Sequence, residues 1–402
     1  MESEATNQQG LKEWKITRLD QCARIIGGST PKTSVKEYWN GDICWTTPKD
    51  LSDLVTPYLE ETPRRITKVG LDSCGAEILP EGSVLFSSRA PIGHVAINIV
   101  PMATNQGFKS FVPSPEKLDA KFLYYWLRKN RDYFNSIGNG ATFKEVSKAV
   151  VSQVEILLPP IAEQKRIAAI LDKAEELRGL RRKALGELDA IVQSIFLKMF
   201  GDPVTNPKGW EKYTLEKIAI KITDGEHLNP IFSSDGMPIV MAGNVLEDSV
   251  DLHNTKKVAL SLGQRFRRRC NPERGDILLV SRGATIGRLC AVDFSEECCL
   301  MGSVILIKLN NLAVQSNYLK SLLKHPSMHR KLFNTSGSSA QQAIYLKDIK
   351  WLTCLLPPIS LQQEFSRRVE AIEHLKATHR ESLAQLDALF TSLQHRAFRG
   401  EL

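Results

Sequence analysis

Two Ser-Arg turns, two histidines four residues apart and one Asp-Gly-Glu-His run are the places in this 402-residue chain where residue type and spacing could do chemistry. The turns are Ser88-Arg89 in "PEGSVLFSSRAPIG" (80–93) and Ser281-Arg282 in "PERGDILLVSRGATIG" (272–287). A guanidinium presents a rigid fork of donors suited to phosphate and other planar acceptors. His325 and His329 have the spacing of a zinc-binding helix, but "HPSMH" lacks the Glu of H-E-x-x-H, and Pro326 argues against both lying mid-helix. A helix start or a surface position is the better reading. "DGEH" (224–227) holds metal-ligand residue types, yet Gly225 marks it as a turn. No G-x-x-x-x-G-K-[ST] phosphate loop occurs. The Asn-Pro pairs Asn206-Pro207, Asn229-Pro230 and Asn271-Pro272 are followed by Lys, Ile and Glu, which excludes an N-P-P-[YF] methyl-transfer stretch. The sequence therefore predicts no catalytic residues and no metal site.

Charge points to recognition instead. The chain is 42% hydrophobic and 24% charged, with a net charge of +8 and a pI near 9.0. Such a balance favours a polyanionic partner, because Lys and Arg neutralise phosphates. Eight cysteines are present, none in a C-x-x-C pair. Most sit in apolar surroundings and read as reduced core residues in a reducing compartment. The N-terminal stretch "MESEATNQQGLKEWK" is acidic and polar, unlike a signal peptide or an anchor. No apolar run approaches the ~20 residues that span a bilayer. A cytoplasmic protein with no membrane contact is expected.

The elements that must position these residues come in duplicate. "LLPPI" occurs at 157–161 and again 198 residues later, at 355–359. Without gaps, fifteen of 44 positions match between 157–200 and 355–398, Gln164/Gln362 and Leu188-Asp189-Ala190/Leu386-Asp387-Ala388 among them. Each copy reads as a strand end followed by a long helix. Proline suits the first helical turn, and the residue before it is pushed to an extended conformation. Gly201 then Pro203, and Gly400, supply the stops. Between them apolar residues recur at 3-4 spacing, giving a seam through Ile170, Leu177, Leu188 and Ile191 in the first copy and Leu375, Leu386 and Leu389 in the second. Arg181 and His379 interrupt the two seams at equivalent places and read as register residues. About 39 helical residues make a rod of about 58 Å. Two such helices, related by a pseudo-two-fold axis, are expected to pack antiparallel as a coiled coil.

Ahead of each helix lies a looser repeat. "EWKITRL" (13–19) matches "GWEKYTL" (209–215), and the two Ser-Arg turns match each other. "NGATFKEVS" (139–147) takes the place of "GSSAQQAIY" (337–345). Elsewhere the halves diverge. Short strand patterns dominate, with one helix per unit at 117–134 and 316–333. The fold class is α+β: two mixed, strand-rich domains joined by a pair of long antiparallel helices. The expected boundaries are a polar tail at 1–10, a domain at 11–158, a helix at 159–201, a second domain at 202–356 and a second helix at 357–402.

Four features together resemble the specificity subunit of a type I restriction–modification system. They are the repeated "LPPI…Q" helix start, the "GGSTPK…EYWNGDICWTTPKDL" opening, the two "SR(A/G)…IG" turns and the "GNGATFKEVS" stretch. The resemblance covers nearly the whole chain. It implies that each globular unit is a target-recognition domain for one half of a split double-stranded DNA site. It implies that the helices space the two domains and dock two methyltransferase subunits. A motor-nuclease subunit would join for restriction. S-adenosylmethionine, Mg and ATP would belong to those partners, and no cofactor would bind this chain directly.

Sequence is read at base edges, and phosphate contacts set register. Polar and basic loop residues are therefore the DNA-binding candidates. In the first unit they are Ser29, Thr30, Lys32, Thr46, Lys49, Ser88, Arg89, Thr142 and Lys144. In the second they are Asp224, His227, Asn244, Arg265, Ser281, Arg282, Gln341 and Gln342. Arg89 and Arg282 occupy a turn common to both units, so a phosphate or structural role fits them better than base readout. Arg265 opens "RFRRR" (265–269), which reads as a phosphate track or an exposed face. A stand-alone duplicated DNA-binding regulator and a coiled-coil protein scaffold are the alternatives. The first does not need such long apolar seams, and the second leaves the basic loops unused.

Overall fold

The paired prolines start both long helices. In the computed structural model, which describes residues 14–140, 144–334 and 343–402, the first long helix is Ile161–Phe200 and the second Ile359–Ala397. Each begins directly after its Pro-Pro pair. Gly201 ends the first helix at φ +81°, the left-handed conformation of a helix C-cap, and its N–H donates to the Leu197 carbonyl at 2.8 Å. The chain divides into two compact units. One holds the residues up to Arg181 together with Ser382–Leu402, and the other holds Arg182–Glu381. Each unit thus combines one globular domain, the first part of its own helix and the last part of the other helix.

The first unit has ten strands among its described residues: β1 (Lys15–Arg18), β2 (Ala23–Gly27), β3 (Trp39–Thr46), β4 (Tyr58–Leu59), β5 (Arg64–Ile66), β6 (Val84–Phe86), β7 (Val95–Asn98), β8 (Met102–Thr104), β9 (Lys109–Pro113) and β10 (Glu155–Leu158). They form a sheet in the order β2-β9-β6-β7-β4, a smaller sheet β5-β3-β8 and the ladder β1-β10. Helix α1 (Ala120–Lys129) packs Phe122, Leu123 and Tyr125 into the core. Ile167, Leu171 and Ala174 of the first long helix join them there, as do Phe390 and Ala397 of the second. Phe122 meets Phe398 edge to face at 5.3 Å, and Tyr125 meets Phe390 at 6.2 Å. Arg178 donates to Asp387 at 2.5 Å and lies over Phe390. Arg166 donates to the Leu402 carbonyl at 3.0 Å. Rising numbers on one helix meet falling numbers on the other, so the two run antiparallel within this unit.

The second unit repeats the plan with β11 (Lys212–Thr214), β12 (Ala219–Asp224), β13 (Met237–Val240), β14 (Lys256–Val258), β15 (Ile277–Val280), β16 (Leu289–Ala291), β17 (Cys299–Leu300), β18 (Val304–Leu309) and β19 (Thr353–Leu355). The sheets are β12-β18-β15-β16 and β14-β13-β17, with the ladder β11-β19. Both small sheets pair their central strand parallel to one neighbour and antiparallel to the other. Helix α2 (Leu260–Arg269) follows β14 as a shorter helix, Lys68–Asp72, follows β5, and α3 (Ser316–Lys324) occupies the place of α1. Phe196 stacks on Tyr318 of α3, Phe200 meets Tyr318 edge to face, and both meet Phe365 of the second long helix edge to face.

One residue explains the repeated "LPPI…Q". Gln164 is fully buried. Its amide accepts from Asp119 N and donates to the carbonyls of Lys117 and Pro159, all at 2.8 Å. Gln362 does the same with Gln315 N (3.0 Å), Ala313 O (3.3 Å) and Pro357 O (2.8 Å). Each glutamine ties the start of a long helix to the loop entering α1 or α3. It satisfies backbone groups that burial would otherwise orphan.

Two expectations need correction. The helix read at 117–134 breaks at Asn130 into α1 and a short turn of helix, Arg131–Ile137. The one read at 316–333 breaks at His325 into α3 and α4 (Pro326–Asn334), because Pro326 holds His325 extended at ψ 132°. The apolar seam is also shifted. Leu177, Ile191, Leu375 and Leu389 are exposed, and Ile170, Leu188 and Leu386 are half-buried. The buried row runs through Ile167, Leu171 and Ala174 in one unit and Val192, Phe196 and Phe200 in the other. Each helix serves its globular domain as well as the other helix, and that second neighbour rotates the buried face. Lys376 is buried on the second helix, whereas His379 is half-buried and Arg181 is exposed.

Candidate nucleic-acid interface

Strand direction gathers the candidate loops at one edge of each main sheet. In the first unit β2 and β6 end there and β9 and β7 begin there, so loops 28–35, 87–94 and 105–108 converge. Ser29 N donates to Thr104 O at 2.9 Å, Ser88 N to Gly107 O at 2.8 Å, and Val146 N to Ser88 O at 2.8 Å. The second unit builds the same knot. Gly225 N donates to Val304 O, Ser281 N to Ser303 O and Ile344 N to Ser281 O, at 2.9–3.1 Å. Gly93 and Gly287 close the two Ser-Arg turns at φ +94° and +83°. A Cβ at either would fall within 2.7 Å of a helix side chain, Arg131 or Phe333.

Several first-unit candidates are scaffold. Thr46 is fully buried and faces Asp50. Ser88 is fully buried, and its hydroxyl donates to Gly107 O at 3.2 Å. Neither side chain reaches solvent, so neither reads a base. Arg89 is half-buried and donates to Glu145 at 2.8 Å, and Lys109 holds the same carboxylate at 3.1 Å. Burial pushes the Glu145 carboxyl up, but the two cations outweigh it and hold it below the usual carboxylate range. Arg89 therefore braces its turn. Lys32, Lys49 and Lys144 are exposed, and Ser29 is half-buried. Thr30 is half-buried with its hydroxyl on Gln106. Thr142 lies outside the described residues.

In the second unit Asp224 and Ser281 are buried. Asp224 holds His227 Nε2 at 2.8 Å and Arg269 at 2.6 Å, so it orients two basic groups rather than reading a base itself. Gly225 packs so closely on Leu300 that a Cβ would lie 2.2 Å from its carbonyl oxygen. Asn244 accepts from Met241 N at 3.0 Å and fixes its own turn. His227, Arg265 and Arg282 are exposed. Of "RFRRR", Arg267 donates to Cys298 O and Arg269 to Asp224, while Arg265 and Arg268 face solvent at the C-terminal end of α2. Gln341 and Gln342 lie outside the described residues. Arg64 and Lys256, which the sequence reading passed over, stand exposed beside these loops.

Among the described residues no group of three His, Cys, Asp or Glu is arranged to hold a metal. His325 is buried and its pKa is lowered by that burial; His329 packs on Phe333 at 4.8 Å. All eight cysteines are free and seven are buried. Burial pushes the thiols of Cys270, Cys290, Cys298 and Cys354 up to about 12. No described helix is long and apolar enough to cross a membrane.

Two equivalent sheet edges, each lined by exposed basic and polar loops and carried on a pair of long helices, define a duplicated recognition protein. The chain belongs to the family whose model is described as the type I restriction modification DNA specificity domain, which matches twice, over residues 11–188 and 207–388. The MjaIX type I restriction enzyme specificity subunit of Methanocaldococcus jannaschii is 35% identical over 233 residues, 54% of each chain. The chain thus spans about half the length of that relative. The EcoKI specificity subunit of Escherichia coli is 25% identical and aligns with 81% of this chain and 76% of its own. Among solved structures, the S subunit of a type I restriction–modification system from M. genitalium superposes with a TM-score of 0.54 at 16% identity, covering 96% of each chain. A chain from the type I R-M system superposes equally well, at 18% identity. These likenesses show the fold.

Proposed function

We propose that this chain is the DNA-recognition subunit of a type I restriction–modification complex. Each unit reads one half of a bipartite double-stranded site through the loops at its sheet edge. The long helices set the unread gap and dock two modification subunits. A motor-nuclease subunit completes the restriction form. Methyl transfer from S-adenosylmethionine and ATP-driven cleavage, with their Mg, belong to those partners.

The observation that carries this reading is the repeated knot of loops, alike in framework and different in the side chains it presents. Common backbone geometry with divergent loops is what two readers of unlike half-sites require. Docking is supported by Leu177, Leu180 and Leu389 in one unit and Ile191, Leu197 and Leu375 in the other. All are exposed on the long helices, and large apolar side chains left in water fit a partner surface. A regulator acting alone would have no use for it.

The test is to footprint the full chain on DNA with and without a co-expressed modification subunit, and to sequence the methylated sites. Two protected half-sites separated by an unprotected gap, strengthened by the partner, are expected. A single continuous footprint that ignores the partner refutes the reading.

A further inference from the structure

The small sheet of the first unit holds an arginine in a built position. Arg64 opens β5 and pairs with Trp45 of β3. Its guanidinium lies 4.6 Å from the Trp45 ring centroid and 5.9 Å from that of Trp39, and the two indoles meet edge to face at 5.0 Å. The same indoles anchor the candidate loop: Trp45 Nε1 donates to Ser29 O at 3.0 Å and Trp39 Nε1 to Lys32 O at 3.2 Å. Trp45 is buried and Arg64 exposed. Among the described residues no carboxylate pairs with Arg64. The ring contact therefore holds the guanidinium against the indole face while leaving its donors open to an outside acceptor.

The second unit occupies the same place differently. Lys256 opens β14 and pairs with Ile239, as Arg64 pairs with Trp45. Each partner in turn lies in the parallel pairing of its small sheet, Ile239 opposite Cys299 and Trp45 opposite Ala103. Lys256 Nζ sits 4.2 Å over the ring of Phe232. Both units thus mount a cation on an aromatic face at one equivalent position. One uses a planar, bidentate head and the other a point charge. A shared position with a changed head is the property that a specificity-determining position needs and that the common Ser-Arg turn lacks.

We propose that Arg64 reads a guanine in the half-site of the first unit, through a bidentate bond to O6 and N7 in the major groove. This rests on the DNA-recognition reading above. Lys256 holds the corresponding place against the other half-site.

The experiment selects bound duplexes from a randomised library with the full chain and its modification subunits, for wild type, Arg64→Ala and Arg64→Lys. Wild type is expected to enrich a bipartite site with a guanine in one half. Arg64→Ala should lose on the order of tenfold in preference at that position alone, with the other bases and the gap retained. Arg64→Lys keeps the charge and the stacking, reports on folding, and should recover binding without full discrimination. In wild type, 7-deazaguanine at that position should reproduce the loss, and it should add nothing to Arg64→Ala. Equal weakening across all sequences would make Arg64 a phosphate contact and overturn the assignment. So would an unchanged preference, or a first half-site without guanine. If wild type enriches no bipartite site, the functional reading itself fails.

Discussion

The Lys376 ammonium lies 2.7 Å from the Asp248 carboxylate, tying a loop of the second globular domain to the second long helix. Lys376 is almost fully buried and also donates to Asp189 at 2.6 Å and Glu373 at 3.1 Å. Lys324 and Arg380 donate to Asp248 as well, at 2.9 and 2.7 Å. Burial pushes the Asp248 carboxyl up, but Lys324 and Lys376 outweigh it and hold it well below the usual carboxylate range. Its folded pKa is depressed. Its contribution to stability is therefore complete above the unfolded value near 3.9 and is lost as the pH falls toward the lower folded value. Asp248→Asn leaves Lys376 short of a counter-charge in a buried place. It is expected to destabilise the second unit by about 3 kcal/mol near neutral pH. The difference from wild type should shrink below about pH 4. Hydrogen exchange of 246–251 and 373–380 across that range measures it. A pH-independent difference would count against the network.

Gln164 and Gln362 make the second prediction. Replacing either by Leu keeps the volume but strands one backbone N–H and two carbonyls. A loss of about 3 kcal/mol is expected for each. The partners are not shared, so the effects of Gln164→Leu and Gln362→Leu should add. Denaturant unfolding of the two single variants and the double variant checks this. A much smaller loss would mean that water replaces the amide.

The sequence made the duplication legible because identity concentrates where geometry is strict. Pro-Pro sets a helix start, the glutamine caps a loop, and a glycine at positive φ closes each turn. The Ser-Arg turns were found for that reason, and for the same reason they are framework: Ser88 and Ser281 are buried, and Arg89 is used by Glu145. The side chains proposed to read bases were harder to see. Arg64 lies 19 residues in sequence from Trp45 and 25 from Trp39, the two indoles that hold it, and nothing in local spacing joins them. The buried face of the long helices was misplaced because periodicity reports an apolar row but not which of two neighbours covers it. Lys376 escaped notice because its three carboxylates come from 189, 248 and 373, remote from one another in sequence.

Arg282 gives a third prediction. It is exposed at the same turn whose Arg89 is engaged by Glu145. Among the described residues no carboxylate pairs with Arg282, and an exposed guanidinium at a shared turn suits a phosphate. Arg282→Ala is expected to weaken binding uniformly across sequences and to reduce the slope of log K against log salt by about 1. Arg89→Ala should instead lower stability, with little change in the salt slope. Titrations of the full chain with its modification subunits at several salt concentrations separate these outcomes. A base-specific loss at Arg282 would assign it to readout instead.

The long helices give the fourth. Deleting seven residues from each, 180–186 and 378–384, removes matched stretches of the internal repeat. It also removes Arg380, which donates to Asp248, so a point variant of that residue is the control for local damage. Seven residues are about 10.5 Å of helix and nearly two full turns, so the faces presented on either side of the deletion stay within about 20° of their original direction. The globular loops proposed to touch DNA are unchanged. If the helices set the gap, the methylated sites should keep both half-site sequences while the unread stretch shortens, on the order of three base pairs. Methylome sequencing of cells carrying the shortened chain and its modification subunits reads both quantities at once. A changed half-site with an unchanged gap would assign spacing to the globular domains and recognition, in part, to the helices.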